Sequence, residues 1–289
     1  MATMRQIRSR IRVAKNIQQI TRAMKMVAAA RLRRAQERVQ NARPYAEAMR
    51  EVMESLATAA AGEVDHPLLE KREVQNTGLL IVTSDRGLAG SYNSAIMRKA
   101  VETARQYDPE RLKLYVVGKK GQAFFKNRGY NVVEALTINS NGVSFSEASA
   151  ITRTIRSAFE HGDIDELVLV YTKFLTAITQ QQVVQKLLPI ETPPATDPTG
   201  SQTLDYIFEP EPTELMSELL PRYLMTQVYQ SMLESLASEH GSRMTSMSSA
   251  TDNAGKMIST LTLSLNRARQ AGITKEISEI VGGAEALKG

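Results

Sequence analysis

Residues 28–56 read AAARLRRAQERVQNARPYAEAMREVMESL. Apolar side chains recur here at alternating intervals of four and three residues, which is the heptad pattern of a helix that packs along a partner helix. The positions are Ala28, Leu32, Ala35, Val39, Ala42, Ala46, Met49, Met53 and Leu56. Alanine is frequent among them, so the two helices can approach closely while each contact buries little area. The stretch therefore predicts a long helix that requires a second one.

The pattern continues upstream, with one phase slip between Ala14 and Ile17 that should alter the supercoil locally. Its apolar positions are Met4, Ile7, Ile11, Ala14, Ile17, Ile20, Met24 and Val27. A helix of residues 1–56 would be roughly 80 Å long at about 1.5 Å per residue, which exceeds the width of an ordinary domain. Pro44 lies inside it, and because the heptad keeps its phase there, we predict a bend rather than an end. The helix should end near residues 60–62.

Helical spacing returns from Thr213 to the end of the chain, and this segment is the predicted partner. Two runs carry it, namely Met247, Ala250, Ala254, Met257 and Leu261, and then Ile273, Ile277, Ile280, Ala284 and Leu287. Because the first helix enters the middle of the chain and the last helix leaves it, the two must pair antiparallel. The last helix is the longer one, so its tip should project beyond Met1 and leave apolar residues uncovered. Such a tip indicates a binding pocket in another protein.

The middle of the chain alternates short apolar runs with amphipathic segments, as βαβ units do. Candidate strands are 79–83, 112–117, 132–138, 167–174, 183–190 and 204–208, and candidate helices are 91–106, 119–128 and 145–160. The predicted fold class is α+β: a long antiparallel two-helix coiled coil from both termini, with an inserted α/β domain whose sheet is mainly parallel. We expect the N-terminal helix at 1–62, the inserted domain at 74–210 and the C-terminal helix at 213–289.

Charge is unevenly distributed. Residues 1–34 contain ten Lys or Arg and no acidic residue, although the whole chain carries only +5. Arg5, Arg8, Arg12 and Lys15 follow helical spacing and form a basic stripe beside the apolar one. The stripe fits a solvated coiled-coil face, a surface for an acidic protein, or a nucleic-acid or membrane surface.

Several site classes find no support in the residues. There is no cysteine, no apolar run long enough to span a membrane, and the three histidines lack ligand spacing. The loop SDRGLAGSYN from Ser84 and the segment Gly118–Gly121 match neither phosphate-binding glycine motif, so tight turns explain them better. Asp85 and Arg86 lack a base, nucleophile or metal set around them, which favours an ion pair or a partner contact. No cofactor, metal or catalytic residue is predicted.

Both termini resemble the gamma subunit of F-type ATP synthases, of the bacterial type. The matching stretches are QITRAMKMVAAARLRRAQ from Gln19, SRMTSMSSATDNAGKM from Ser242 and LNRARQAGITKEISEIVGGAEAL from Leu265. The resemblance covers the whole chain, including YTKF from Tyr171 and RPYAE around Pro44.

The resemblance implies a central rotor stalk without catalysis of its own. Its coiled coil would turn inside a hexamer of alternating alpha and beta subunits, while the α/β domain sits with the epsilon subunit on the c-ring. One copy per complex would couple ion flow through the membrane sector to ATP synthesis or hydrolysis on beta, regulating both. The protein would be peripheral on the cytoplasmic side of a bacterial cell membrane, since it has no transit-type extension. It also has no inserted segment with paired cysteines, which excludes thiol control of the plant type.

The resemblance also assigns contact residues. Met24, Lys25, Arg243, Arg269, Gln270 and Thr274 would contact beta. Ile277, Ile280, Val281 and Leu287 would occupy the apolar bearing of the hexamer, and Tyr206 would lie near the c-ring foot. Two other classes stay open on the residues alone: a DNA-binding protein with a basic region followed by heptads, and a nucleotide-dependent enzyme built on the inserted domain.

Overall fold

The computed structural model describes residues 3–59, 64–138, 142–191 and 211–286, except the side chains of residues 285 and 286. The elements are α1 (Met4–Ala59), a 3-10 helix (Pro67–Leu69), β1 (Thr77–Val82), α2 (Tyr92–Ala104), β2 (Leu112–Val117), α3 (Lys119–Lys126), β3 (Val132–Leu136), α4 (Phe145–Glu160), β4 (Glu166–Phe174), β5 (Gln180–Leu188) and α5 (Pro212–Ala286). Among these described residues, no helix is both long and apolar enough to cross a membrane.

The chain divides into two compact units. Unit 1 comprises residues 1–28 and 244–289, and unit 2 comprises residues 29–243. Helices α1 and α5 each contribute to both units, and each continues through an internal proline, Pro44 and Pro221 respectively. The prediction that α1 does not end at Pro44 is therefore confirmed.

Unit 2 is built on a five-stranded sheet with the order β3-β2-β1-β4-β5. The pairs β1–β2, β1–β4 and β2–β3 are parallel, and only the edge strand β5 runs antiparallel, against β4. The predicted mainly parallel sheet is thus confirmed. β5 begins at Gln180, three residues before the predicted start, because an edge strand tolerates polar residues that an apolar count omits. The candidate strand 204–208 lies outside the described residues.

Each face of this sheet carries its own apolar core. On one face, α2 and α3 cover alternate strand residues such as Leu79, Ile81 and Val116. On the other face, α4 and the unit 2 parts of α1 and α5 cover Leu80, Val82 and their neighbours. Strands buried on both faces explain the continuous apolar runs seen in the sequence.

A capping box formed by Ser144 and Glu147 opens α4. The Ser144 hydroxyl accepts the backbone N–H of Glu147, and the Glu147 carboxylate accepts the backbone N–H of Ser144. Two donors at the helix start are satisfied reciprocally, so the boundary at Phe145 agrees with the sequence prediction.

Unit 1 is an antiparallel pair formed by α1 and α5. The Lys25 ammonium donates to the Ser248 hydroxyl at 2.9 Å, and the Thr251 hydroxyl donates to the Thr21 hydroxyl at 2.8 Å. At the start of α1, the Met4 side chain lies beside Gly272 of α5. In successive contacts the residue number increases along α5 while it decreases along α1. The two helices therefore pair antiparallel, as predicted.

The buried positions of α1 follow one seven-residue spacing without a slip. In unit 1 they are Ile7, Ala14, Thr21 and Ala28, and in unit 2 they include Ala35, Met49 and Leu56. The predicted phase slip near Ala14 is therefore wrong. The prediction considered only apolar residues and so placed the isoleucines in the seam. The seam instead continues through the polar Thr21, whose buried hydroxyl forms hydrogen bonds.

The isoleucines and valine assigned to the upstream stripe lie on the surface instead. Ile17, Ile20 and Val27 are 48 %, 59 % and 53 % exposed. A similar shift occurs on α5, where Met257 and Ile273 are exposed while Ile258 and Gly272 are half-buried. In both helices, hydrophobicity alone predicted the wrong buried face. The buried face depends on the register of each helix against its neighbour.

Candidate partner-binding site

Five of the six residues predicted to contact beta belong to unit 1. Met24 is half-buried in the pair, while Lys25, Arg269, Gln270 and Thr274 are exposed. Because Lys25 already donates to Ser248 of the facing helix, its charge is held at a defined place on the surface. The arrangement leaves these polar groups able to reach another protein.

The basic stripe Arg5, Arg8, Arg12 and Lys15 lies on α1 within the same unit. All four residues are exposed, and none has an acidic partner among the described residues. Like charges spaced along one helix face repel each other, so an acidic partner would relieve an unfavourable interaction. The stripe is therefore a candidate surface for an acidic protein segment.

The end of α5 carries apolar residues that stay uncovered. Ile277, Ile280 and Val281 are 56 %, 71 % and 58 % exposed. They follow Gly272, which lies beside Met4, the first residue of α1. Within the described part of unit 1, α1 begins at Met4 and therefore does not cover these residues. Leu287 and Tyr206, the other predicted contacts, lie outside the described residues.

Sequence reasoning missed a second apolar surface in unit 1. An open groove of about 390 Å³ runs between the two helices and is lined by Val13, Ile17, Met257 and Leu261, among others. Three of them, Ile17, Met257 and Leu261, belong to the apolar runs predicted for the seam, whereas Val13 does not. Their exposure adds an apolar surface beside the basic stripe, which is the composition expected of a protein-binding surface.

Arg243 belongs to unit 2 and has partners of its own there. Its side chain is buried, it forms an ion pair with Glu239 one helical turn earlier, and it donates to the backbone carbonyl of Gly87 at 3.2 Å. His240 lies 3.2 Å from one of its guanidinium nitrogens. Arg243 thus joins α5 to the loop that follows β1, and a contact with beta stays a prediction.

Burial and charge shift the pKa values within this cluster. Desolvation raises the pKa of the Glu239 carboxyl, although Arg243 opposes the rise. Burial, with Arg243 and Arg31 nearby, lowers the pKa of His240 to about 4. His240 is therefore neutral at pH 7, and its Nδ1 can accept a hydrogen bond from Arg243. The four-residue spacing of Glu239 and Arg243 was the available sequence signal.

The glycine segments of unit 2 have structural explanations. A Cβ at Gly121 would lie 2.6 Å from the Thr83 hydroxyl oxygen, and one at Gly118, where φ is +101°, would meet the Thr83 carbonyl. The Asp85 carboxylate accepts the backbone N–H of Lys119 at the start of α3. These contacts pack α3 tightly against the end of β1, as the tight-turn interpretation predicted. Among the described residues no cluster of acidic, histidine or cysteine side chains could hold a metal.

Comparison with known proteins agrees with this architecture over the full chain. The family model described as ATP synthase matches residues 3–287. The ATP synthase gamma chain of Desulforamulus reducens is 48% identical over 288 residues, with 100% of both chains covered. This chain belongs to the ATP synthase gamma chain family. The gamma chain of Heliobacterium modesticaldum is 49% identical over 293 residues, covering 99% of this chain and 100% of that one.

Solved structures share the fold. A chain of the central stalk and c-ring of the Tetrahymena thermophila mitochondrial ATP synthase has a TM-score of 0.62 and 26% identity, covering 80% of this chain and 99% of that chain. A chain of the Euglena gracilis mitochondrial ATP synthase has a TM-score of 0.71 and 18% identity, and the match covers 98% of this chain and 94% of that chain. The predicted fold class, with helices from both termini and an inserted sheet, is confirmed.

Proposed function

We propose that this chain is the central rotor stalk subunit of an F-type ATP synthase. The observation that carries the proposal is unit 1: an antiparallel helix pair that exposes basic and apolar surfaces, in a chain that matches gamma chains over its whole length. Its partners are the alpha and beta subunits, the epsilon subunit and the c-ring. Catalysis takes place on beta, so the chain is a non-catalytic subunit.

The mechanism follows from asymmetry. A pair of helices cannot present the same surface in three equivalent directions, so each beta subunit of a surrounding hexamer meets a different face. Only contacts that differ between orientations can shift the state of a partner. Moving a two-state site from 1:99 to 99:1 requires about 5.5 kcal/mol of differential interaction. Several charged and apolar contacts on unit 1 can together supply a difference of that size.

The individual contacts are part of this proposal. Met24, Lys25, Arg243, Arg269, Gln270 and Thr274 contact beta, and the basic stripe faces acidic loops on it. Ile277, Ile280, Val281 and Leu287 occupy the apolar bearing of the hexamer, and Tyr206 lies near the c-ring. The exposure of the described unit 1 residues supports these assignments.

The domain division and the location are proposed on the same basis. Residues 1–62 and 213–289 form the shaft, and residues 74–210 form the foot that meets epsilon and the c-ring. The complex lies at the cell membrane with this chain peripheral on the cytoplasmic side. Coupling of ion flow to ATP turnover, and regulation of both, follows from the position of the shaft.

A tagged full-length chain tests the assignment. It should be purified from membranes with alpha, beta, epsilon and c subunits, and the complex should synthesise ATP when an ion gradient is imposed. Arg8→Glu, Arg12→Glu and Lys15→Glu together should reduce synthesis severalfold while assembly persists. Arg8→Lys, Arg12→Lys and Lys15→Arg together keep the positive charge of the stripe and provide the control, which should synthesise ATP as the wild type does.

One outcome contradicts the role of the basic stripe, and two contradict the stalk function. Synthesis that is unchanged in the stripe variant removes the role of the basic stripe. Purification with DNA, with affinity that falls steeply as salt rises, identifies a DNA-binding protein instead. ATP turnover by the isolated chain identifies an enzyme.

A further inference from the structure

Unit 2 contains a pocket whose lining includes none of the contact residues proposed above. It lies between α4 and the first part of α5 and has a volume of about 190 Å³. Three of its lining residues are arginines, Arg153 and Arg156 on α4 and Arg222 on α5. Arg153 and Arg222 are exposed and Arg156 is half-buried, so the three positive charges lie at a solvent-accessible pocket where a bound anion would reduce their mutual repulsion.

The arginines are largely uncompensated. Neither Arg153 nor Arg222 has an ion-pair or hydrogen-bond partner for its side chain among the described residues. Arg156 forms an ion pair with Glu160, whose Oε1 lies 3.3 Å from the buried Nε, although the two atoms are not in hydrogen-bond geometry. A bound anion could supply the well-aligned acceptor that this Nε lacks.

The remaining wall is suited to a compact oxyanion. The hydroxyl of Ser149 is a further donor with no partner in the described part of the chain, whereas Thr152 donates to its own helix at Ala148. Pro221 and Met225 supply an apolar wall. One arginine fork satisfies a carboxylate, which has two oxygens and one charge. Three arginines and a hydroxyl suit a group with more oxygens and more charge.

We propose that the pocket between α4 and α5 is an anion site that takes a phosphoryl group. The same chemistry has two sources, a soluble phosphate or phosphate ester and the headgroup of an anionic phospholipid. The site is independent of the shaft contacts in unit 1 and goes beyond the stalk function.

Titration of the purified full chain with inorganic phosphate tests the proposal. At constant ionic strength in chloride, calorimetry should detect one saturable site per chain. Arg153→Gln with Arg222→Gln should weaken binding at least about tenfold, because two charge-assisted hydrogen-bond donors are lost. The control pair Arg98→Gln and Arg105→Gln removes the same charge from exposed positions on and beside α2 and should bind within about twofold of the wild type.

Vesicle flotation distinguishes the source of the phosphoryl group. Binding to phosphatidylglycerol vesicles but not to phosphatidylcholine, lost in the pocket pair and kept in the control pair, identifies a lipid headgroup. Saturable binding of inorganic phosphate with the same variant pattern identifies a soluble ligand. Ser149→Glu, which introduces a carboxylate into the pocket wall, should abolish either form of binding and serves as a second variant.

The proposal is overturned if neither inorganic phosphate nor phosphatidylglycerol binds, or if the control pair loses as much affinity as the pocket pair. It is also overturned if polyglutamate binds through the pocket arginines while both phosphoryl probes fail. The pocket would then recognise a carboxylate-bearing partner.

Discussion

Thr251 of α5 donates a 2.8 Å hydrogen bond to Thr21 of α1, at a buried position of the seam in unit 1. The Thr21 hydroxyl donates its own proton to the Gln18 carbonyl, and the single proton of the Thr251 hydroxyl is shared between Thr21 and the Met247 carbonyl. The seam thus accommodates a polar pair at a position where a heptad calls for an apolar residue.

Removing one hydroxyl of this pair should cost more than removing both. Thr21→Val removes the interhelical acceptor and places a methyl group against the Thr251 hydroxyl, which keeps only the Met247 carbonyl, so the free energy of unfolding should fall by about 1 kcal/mol. Thr21→Val with Thr251→Val replaces both by apolar groups of the same shape and should be close to neutral. Urea unfolding of the full chain, followed by helical circular dichroism, measures both. Additive losses in the double variant would contradict the pairing.

Two isoleucines on α1 should respond very differently to truncation. Ile7 is 7 % exposed in the seam, whereas Ile20 is 59 % exposed. Ile7→Ala should lower the free energy of unfolding by about 2 kcal/mol, and Ile20→Ala by less than about 0.5 kcal/mol. The same urea measurement compares them. Equal losses would support the stripe predicted from hydrophobicity over the observed seam.

Gly121 should tolerate no side chain. The added methyl of Gly121→Ala would meet the Thr83 side chain at 2.6 Å and Val116 at 2.9 Å, so the variant should lose about 1–3 kcal/mol. Gly87→Ala is the control, because its nearest neighbour would be the end of the Lys120 side chain at 3.8 Å. Thermal unfolding of both variants measures the difference, and a stable Gly121→Ala would contradict the tight packing of α3 on β1.

The lowered pKa of His240 makes stability depend on pH. The imidazole titrates near 6.5 when unfolded and near 4 in the folded chain. Between these values the unfolded state binds more protons, so the free energy of unfolding falls as the pH falls. The contribution is fully present above pH 6.5, and about 3 kcal/mol of it is lost by pH 4.

Comparison with His240→Asn isolates this effect, since an amide oxygen can accept the hydrogen bond from Arg243 but does not titrate. The raised pKa of Glu239 acts in the opposite direction, because the folded state takes up that proton first as the pH falls. Glu239 is present in both proteins, so their difference reports on His240. Parallel stability curves from pH 7 to 4 would show that His240 is not held neutral.

Local patterns predicted the elements of unit 2 well. Buried strands read as apolar runs, and α4 was bounded by its capping box at Ser144 and Glu147. The start of the edge strand β5 was harder to predict. Gln180 and its neighbours join the sheet by backbone pairing with β4, and their polar side chains give no apolar pattern in the sequence. The site was partly predictable: exposed residues such as Arg269 and Ile280 lie on the surface as expected, but the buried partners of Arg243 come from a helix turn and a distant loop.

The sequence by itself determined that α1 is long, that it needs a partner, and that the partner comes from the other end of the chain, because heptad spacing and chain connectivity are local information. Only the tertiary structure decided which face of each helix is buried. Thr21 lies in the seam and Ile20 outside it, because that choice depends on register against the facing helix rather than on the hydrophobicity of one residue.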